Sequence, residues 1–176
     1  MWANSVIEVT IASDYGAIFV YDAEDFVNRH VDDLDPYDED VMSRAMEDGA
    51  ASRRFVGHDD GFVVILPPSQ YSYDRPLRIE VGAGPPADDS TDWDHVVEVP
   101  LPLPSGRLVF EASGGGPATE AVVPPSTYRA RISGRDFVAG VGEIEGDETW
   151  RVQLWPAPEA EPALIRYWTG YDMMRG

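Results

Sequence analysis

The sequence predicts an all-β fold, an antiparallel β-sandwich with one or two short helices in the first third. Three observations carry this. Apolar runs of strand length recur from residue 60 to residue 168, and 16 Gly and 15 Pro fall between them in clusters such as GAGPP, LPLPSG, GGGP, VPPS and WPAPEAEP. Only two segments have helical character, and both precede residue 50. With 176 residues, 43% of them hydrophobic, the chain is expected to form one domain, residues 1–176, that buries roughly 70% of its unfolded surface.

The elements follow in order. Residues 6–12 (VIEVTIA) and 17–21 (AIFVY) read as two strands, joined by Ser13, Asp14, Tyr15 and Gly16 in a hairpin turn. Residues 23–30 (AEDFVNRH) read as a helix. Asp22 is its N-cap, Glu24 and Asp25 lie in its first turn, and Arg29 and His30 lie in its last, as the helix dipole favours. Residues 38–48 (DEDVMSRAMED) place Val41, Met42, Ala45 and Met46 on one stripe, with Gly49 as the stop. Seven more strands are predicted at 62–66, 77–81, 96–101, 107–111, 128–132, 150–155 and 163–168.

Alternation assigns the faces. Tyr128, Ala130 and Ile132 oppose Arg129, Arg131 and Ser133, and Trp150, Val152 and Leu154 oppose Arg151, Gln153 and Trp155. The three arginines are then either a small basic stripe facing acidic neighbours or simply the outer face of a sheet. The predicted core comprises Ile18, Val20, Val63, Ile65, Ile79, Val97, Val109, Ile132, Val152 and Leu154.

Charge is the strongest compositional signal, with 32 Asp and Glu against 13 Arg, no Lys, and a net charge of -19. Residues 1–60 hold 15 acids and 4 Arg, and six carboxylates (Asp32, Asp33, Asp35, Asp38, Glu39 and Asp40) fall within nine residues. Such a field repels nucleic acid and anionic lipid and selects a cation, a metal or a basic protein. Solubility alone also makes proteins acidic, although it favours interspersed signs. The N-terminal segment lacks a basic stretch and an apolar stretch, and no run approaches the ~20 apolar residues of a membrane span, so a soluble, cytoplasmic protein is expected.

The missing residue types exclude chemistry. Without Lys there is no Walker A lysine and no Schiff base, and without Cys there is no disulfide, thiolate zinc site or cysteine nucleophile. Neither G-x-S-x-G nor H-E-x-x-H occurs. GAGPPA at 82–87 has dinucleotide-fingerprint spacing, but two prolines and an acidic loop follow where a helix N-terminus is required. No catalytic residue, metal ligand or cofactor is assigned. Two alternatives remain: the loops DDLDPYDED (32–40) and DDSTDWD (88–94) as Ca²⁺ or ligand sites of a β-sandwich, and a small hydrolase using His58 or His95 with a nearby Asp.

The order of the elements resembles the competence protein J family. It is carried by VTIASDYGAIFVYD, a short helix ending AMEDGAAS, FVVILPP, the pair HVVEVPLPL and GRLVFEA, and the proline-led strand PPSTYRARISG, together covering roughly residues 5–135. From Ser133 onward the chain departs from that pattern and resembles a segment of uncharacterised actinobacterial proteins, a source that the all-Arg basic complement also suggests. The family is small, cytoplasmic and acidic, and its founding activity is inhibition of a DNA-entry nuclease. The resemblance implies an acidic binding protein that inhibits or neutralises a basic partner, a nuclease or a toxin, by occlusion. The expected contact residues are Asp32, Asp33, Asp35, Tyr37, Asp38, Glu39, Asp40 and Trp93, with the aromatic residues as anchors. All the neighbours of Trp93 are polar, which argues against a core position for it.

Overall fold

The computed structural model describes residues 4–13, 16–30, 40–68, 73–114, 118–138 and 147–173. Two sheets face each other. The first holds β1 (Ser5–Ser13), β5 (Tyr73–Val81), β10 (Thr149–Pro156), β9 (Ser126–Arg135), β6 (His95–Leu103) and β11 (Ala163–Arg166), in that spatial order. The second holds β3 (Val56–Asp59), β4 (Phe62–Ile65), β2 (Ile18–Asp22), β7 (Arg107–Ala112) and β8 (Thr119–Val122). Three short helices complete it: α1 (Ala23–His30), α2 (Val41–Ala51) and α3 (Gly170–Met173). No described helix is long and apolar enough to cross a membrane.

The fold is the predicted β-sandwich, with every pair antiparallel except β5–β10. All ten predicted core residues are buried; nine belong to the layer between the sheets, and Val109, opposite Tyr21, lies on the outer face of the five-stranded sheet. Strand prolines sit where a neighbour is missing. On its β11 side β6 is paired only at Val96, Val97 and Glu98, so Pro100 and Pro102 interrupt no ladder there. Pro76 lies one residue before β10 begins to pair with β5, at Leu77.

Three expectations are corrected. The residues 6–12 and 17–21 form no hairpin: β1 pairs with β5 over nine residues, and β2 crosses to the second sheet between β4 and β7. Gly49 does not stop α2 but lies inside it, because the helix needs a residue without a side chain where it meets Gly57 of β3. A Cβ on Gly57 would lie 1.6 Å from the Ala45 carbonyl oxygen, and one on Gly49 would lie 2.9 Å from the Gly57 nitrogen. Helix α2 therefore runs on to Ala51 and ends at Ser52, while Met46 of the expected stripe is exposed. Two strands, β3 and β8, add to the nine predicted. The predicted strand at 150–155 is β10, which sits at the centre of the larger sheet.

The missed strand β3 had a local signal. Asp60 and Gly61 are the two-residue loop of the β3–β4 hairpin, with φ of 40° and 80°, the left-handed pair that a type I′ turn requires.

The close helix–strand approach makes a sharp prediction. Gly57→Ala should lower unfolding free energy by about 3 kcal/mol or more, because a backbone carbonyl cannot yield as a side chain can. Gly84→Ala, with nothing within 4 Å of its Cβ, should change it by less than about 0.5 kcal/mol. Urea denaturation of the two variants checks both, and a tolerated Gly57→Ala would refute the packing.

Candidate functional site

The acidic run begins just after α1 and ends at the start of α2, so the geometry of these helices frames it. Helix α1 starts at Asp22, whose Oδ1 accepts from the backbone N–H of Glu24 (3.1 Å) and Asp25 (3.0 Å). Ser105 and Gly106, in the β6–β7 turn, also donate to this carboxylate. Burial opposes ionisation of Asp22, but these bonds outweigh it and hold its carboxyl below the ordinary range. The cap therefore ties α1 to the second sheet.

The β3–β4 turn then joins the two helices. Arg29, in the last turn of α1, binds Asp25 and reaches Asp60 Oδ1 at 2.7 Å, while Arg44 of α2 binds Asp59 Oδ2 at 2.9 Å. His30 is buried, with Nε2 3.7 Å from Asp60 Oδ2. Asp48 of α2 accepts the His58 backbone N–H at 2.9 Å and the Arg54 guanidinium. Phe62, Val64, Val41 and Ala45, with Phe19, Tyr21 and Phe26 beside them, form a second apolar cluster beneath the helices on the outer face of the five-stranded sheet.

Of the expected contact residues, Asp32, Asp33, Asp35, Tyr37, Asp38 and Glu39 lie outside the described residues. Asp40 is the N-cap of α2, its Oδ1 accepting the Ser43 N–H at 2.7 Å. Trp93 is in a different place altogether, and the expectation that it avoids burial is corrected. It is 9% exposed on the outer face of the six-stranded sheet, with the Arg151 guanidinium 4.4 Å and that of Arg135 4.9 Å from its ring centroid. Its polar sequence neighbours misled because they bind the sheet and seat the indole against it.

That outer face is polar and covered at once. Arg151 makes a bidentate pair with Asp89, at 2.7 Å for each bond, and Arg129 and Arg131 share Glu98 at 3.2 and 2.9 Å. Arg131 also donates to the Ala87 carbonyl, and Arg129 to those of Ala160 and Glu161. The arginines are the outer face of a sheet and are paired with acids, so both sequence readings of them meet in one arrangement.

The alternative chemistries find little support in this geometry. In the 88–94 loop, Asp88 accepts from Ser90 N–H, Asp89 is taken by Arg151 and Asp94 accepts from Phe137 N–H, so the carboxylates anchor the chain and do not converge. No three His, Asp or Glu side chains among the described residues are grouped to hold a metal, and the 32–40 loop lies outside them apart from Asp40. Both nitrogens of His95 are engaged: Nε2 donates to the Arg54 carbonyl (2.5 Å) and Nδ1 accepts the Trp168 N–H (3.2 Å). Neither is left to move a substrate proton. His58 is half-buried, and burial, chiefly, lowers its imidazole.

Sequence reasoning also missed the C-terminal clasp on His95. Tyr171 of α3 stacks on Phe55 at 3.7 Å and donates from its hydroxyl to the Leu66 carbonyl (2.8 Å), and its ring packs edge-on to His95. The chain has no periodic pattern there to signal it.

Burial pushes the His95 imidazole down to about 4, against a smaller upward push from its bond to the Arg54 carbonyl. The folded value lies below the unfolded one of about 6.5, so folding excludes the proton. The stability is whole above pH 6.5 and falls as pH drops from 6.5 to 4, by on the order of 3 kcal/mol. Chemical denaturation at pH 7 and pH 5 should show the loss, and an NMR titration should find this imidazole neutral at pH 5. A His95 that protonates near pH 6.5 would contradict the geometry.

No protein-family model matches the chain, and no curated protein matches its sequence. Two solved structures share its fold. One is described as crocagin biosynthetic gene J, with 19% identity and a TM-score of 0.60 over 89% of this chain and 100% of that one. The other is ComJ from Bacillus subtilis, inhibitor of the DNA degrading activity of NucA, with 12% identity and a TM-score of 0.54 over 89% of this chain and 96% of that one. Residues 1–135 alone do not supply 89% of the chain, so both likenesses take in part of the segment expected to depart from the pattern. The likeness to ComJ read from element order is thus a likeness of fold that extends past Ser133.

Proposed function

We propose that this chain is an acidic binding protein that inhibits or neutralises a basic protein partner, a nuclease or another toxin, by occluding the groove in which that partner holds phosphates. One observation carries the reading: a sandwich with the fold of ComJ bears a net charge of -19. The internal ion pairs do not absorb that charge. Eleven arginines of the described residues are in ion pairs with acids of the same chain, and 32 acids face only 13 Arg in all. The surplus of negative charge attracts a cationic surface over a distance of about 10 Å at ordinary salt.

The proposed recognition surface is the run Asp32, Asp33, Asp35, Tyr37, Asp38, Glu39 and Asp40, with the two helices as its frame. Tyr37 serves as anchor, because interface energy gathers on aromatic side chains while rim carboxylates set rate and specificity. Trp93 lies on the outer face of the six-stranded sheet, packed against Arg135 and Arg151. Inhibition requires coverage and no bond making.

Replacing Asp32, Asp33, Asp35, Asp38, Glu39 and Asp40 by Asn or Gln tests the surface. Asn at 40 keeps a cap acceptor for Ser43, so the fold should persist. Association with a cognate basic nuclease, followed by stopped flow, should slow by about tenfold or more with little change in dissociation, and wild-type affinity should fall steeply with salt. Unchanged association kinetics in the neutralised variant would reject the run as the recognition surface.

A further inference from the structure

The sheet face opposite the helices carries a cleft of about 530 Å³, bounded by the first residues of β1, the ends of β5 and β10, and the turn from Gly82 to Pro86. This is the GAGPP segment whose nucleotide reading fails. Its start is fixed by the Gly82 N–H, which donates to the Leu154 carbonyl at 2.9 Å. Its continuation is pinned by Arg131 on the Ala87 carbonyl and by Arg151 on Asp89. Val6, Pro85 and Pro86 make part of the lining apolar.

Register places Val6, Glu80 and Gln153 side by side on β1, β5 and β10. Gln153 is 7% exposed, and its Nε2 donates to Glu80 Oε2 at 2.8 Å. A carboxylate accepts only, so the amide must turn its NH₂ toward Glu80, which leaves Gln153 Oε1 as the free end. That oxygen is buried and has no hydrogen-bond partner among the described residues. A buried acceptor without a donor is costly, and native proteins keep few of them.

The charges point the same way. Glu80 Oε1 accepts from Arg78 Nε at 2.6 Å, and Arg78 also binds Glu8. Two carboxylates thus meet one guanidinium, and Arg151, the next cation along β10, is spent on Asp89. Burial opposes ionisation of Glu80, yet its bonds from Arg78 and Gln153 prevail and hold its carboxyl below the ordinary range.

We infer that this cleft is a binding site for a guanidinium group carried on an aliphatic stem. A planar fork of N–H donors satisfies two neighbouring acceptors at once, Gln153 Oε1 and Glu80 Oε2, and balances the unmatched carboxylate. The stem lies against Val6 and the two prolines. The terminal amide of Gln153 turns toward the entering donor while its NH₂ remains on Glu80. The inference is independent of the acidic run and its partner.

Two-dimensional ¹H–¹⁵N NMR of the full chain tests it, with agmatine, N-acetyl-arginine amide, the peptide Ala-Ala-Arg-Ala-Ala and the neutral isostere N-acetyl-citrulline amide as probes. The three cations should give saturable shifts at the Gln153 side-chain amide and at the Gly82 and Gly84 N–H groups, and the citrulline compound should not. Gln153→Leu and Glu80→Gln should each weaken binding about tenfold, in spectra that remain dispersed as for a folded chain. Agmatine binding as tightly as the peptide identifies a free small cation as the ligand, whereas a tighter peptide identifies an arginine of a polypeptide. Shifts equal for the citrulline compound, shifts gathered at Asp40, Asp59 and Asp60 instead, or unchanged binding in both variants would overturn the site.

Discussion

Strands β9 and β10 are buried on both faces, and much else in the molecule follows from that constraint. One face of each gives Tyr128, Ala130, Ile132, Trp150, Val152 and Leu154 to the space between the sheets. The other gives Arg129, Ser133, Arg151, Gln153 and Trp155 to a layer that solvent barely reaches. A charge taken out of water needs a partner, since an uncompensated buried ion costs several kcal/mol. The segments that cross this face therefore carry acids and carbonyls at the points where the arginines emerge. Asp89, Ala87, Ala160 and Glu161 fill those places, and Glu98 of the neighbouring strand β6 supplies a further acid. The loops are ordered by the sheet beneath them, and the sheet is tolerable only because of the loops.

The same logic appears in miniature at the end of the sandwich. Arg75 is fully buried and bound to Glu148, which also accepts the Trp150 indole N–H at 2.6 Å. Two strands and the residue before β10 thus meet in one polar contact inside an apolar layer. Such a pair adds little net stability over hydrophobic side chains of equal size, but it is intolerant of misalignment. It suits the place where β10 must enter parallel to β5, a pairing with no hairpin to set its register.

What the sequence made legible was whatever depended on local pattern. Apolar runs bounded by Gly and Pro located nine strands, and Asp22 with its following acids located α1 to the residue. What escaped depended on distant partners. Alternation in YRARISG and WRVQLWP correctly separated two faces, but it carries no information on what covers the second one. Trp93 looked exposed because Asp92 and Asp94 flank it, whereas its surroundings in space are two arginines from β9 and β10. The adjacency of residues 6–12 and 17–21 suggested a hairpin, and long pairing of β1 with β5 prevailed. Gly49 read as a stop since glycine is common just past a helix C-terminus. The close approach of Gly57, eight residues on, is a tertiary demand.

A surface charged only to stay in solution has no reason to be organised around one structural joint. Here the turn at Asp59, Asp60 and Gly61 is held by Arg29 from α1 and by Arg44 from α2, so both helices that flank the acid run are fixed to one hairpin. In the proposed binding role, such fixed flanks would meet part of the conformational cost of presenting the run before a partner arrives, which is how a protein gains affinity without adding contacts. The arginines nearest in sequence to the run are engaged by Asp25, Asp59 and Asp60. Arg54 is likewise drawn to Asp48, and Arg53 to Asp172. Carboxylates thus outnumber the cations that border them in sequence, and the described flanks of the run are held at one hairpin. That combination of fixed flanks and unbalanced charge is what favours the proposed recognition surface over a charge that serves solubility alone.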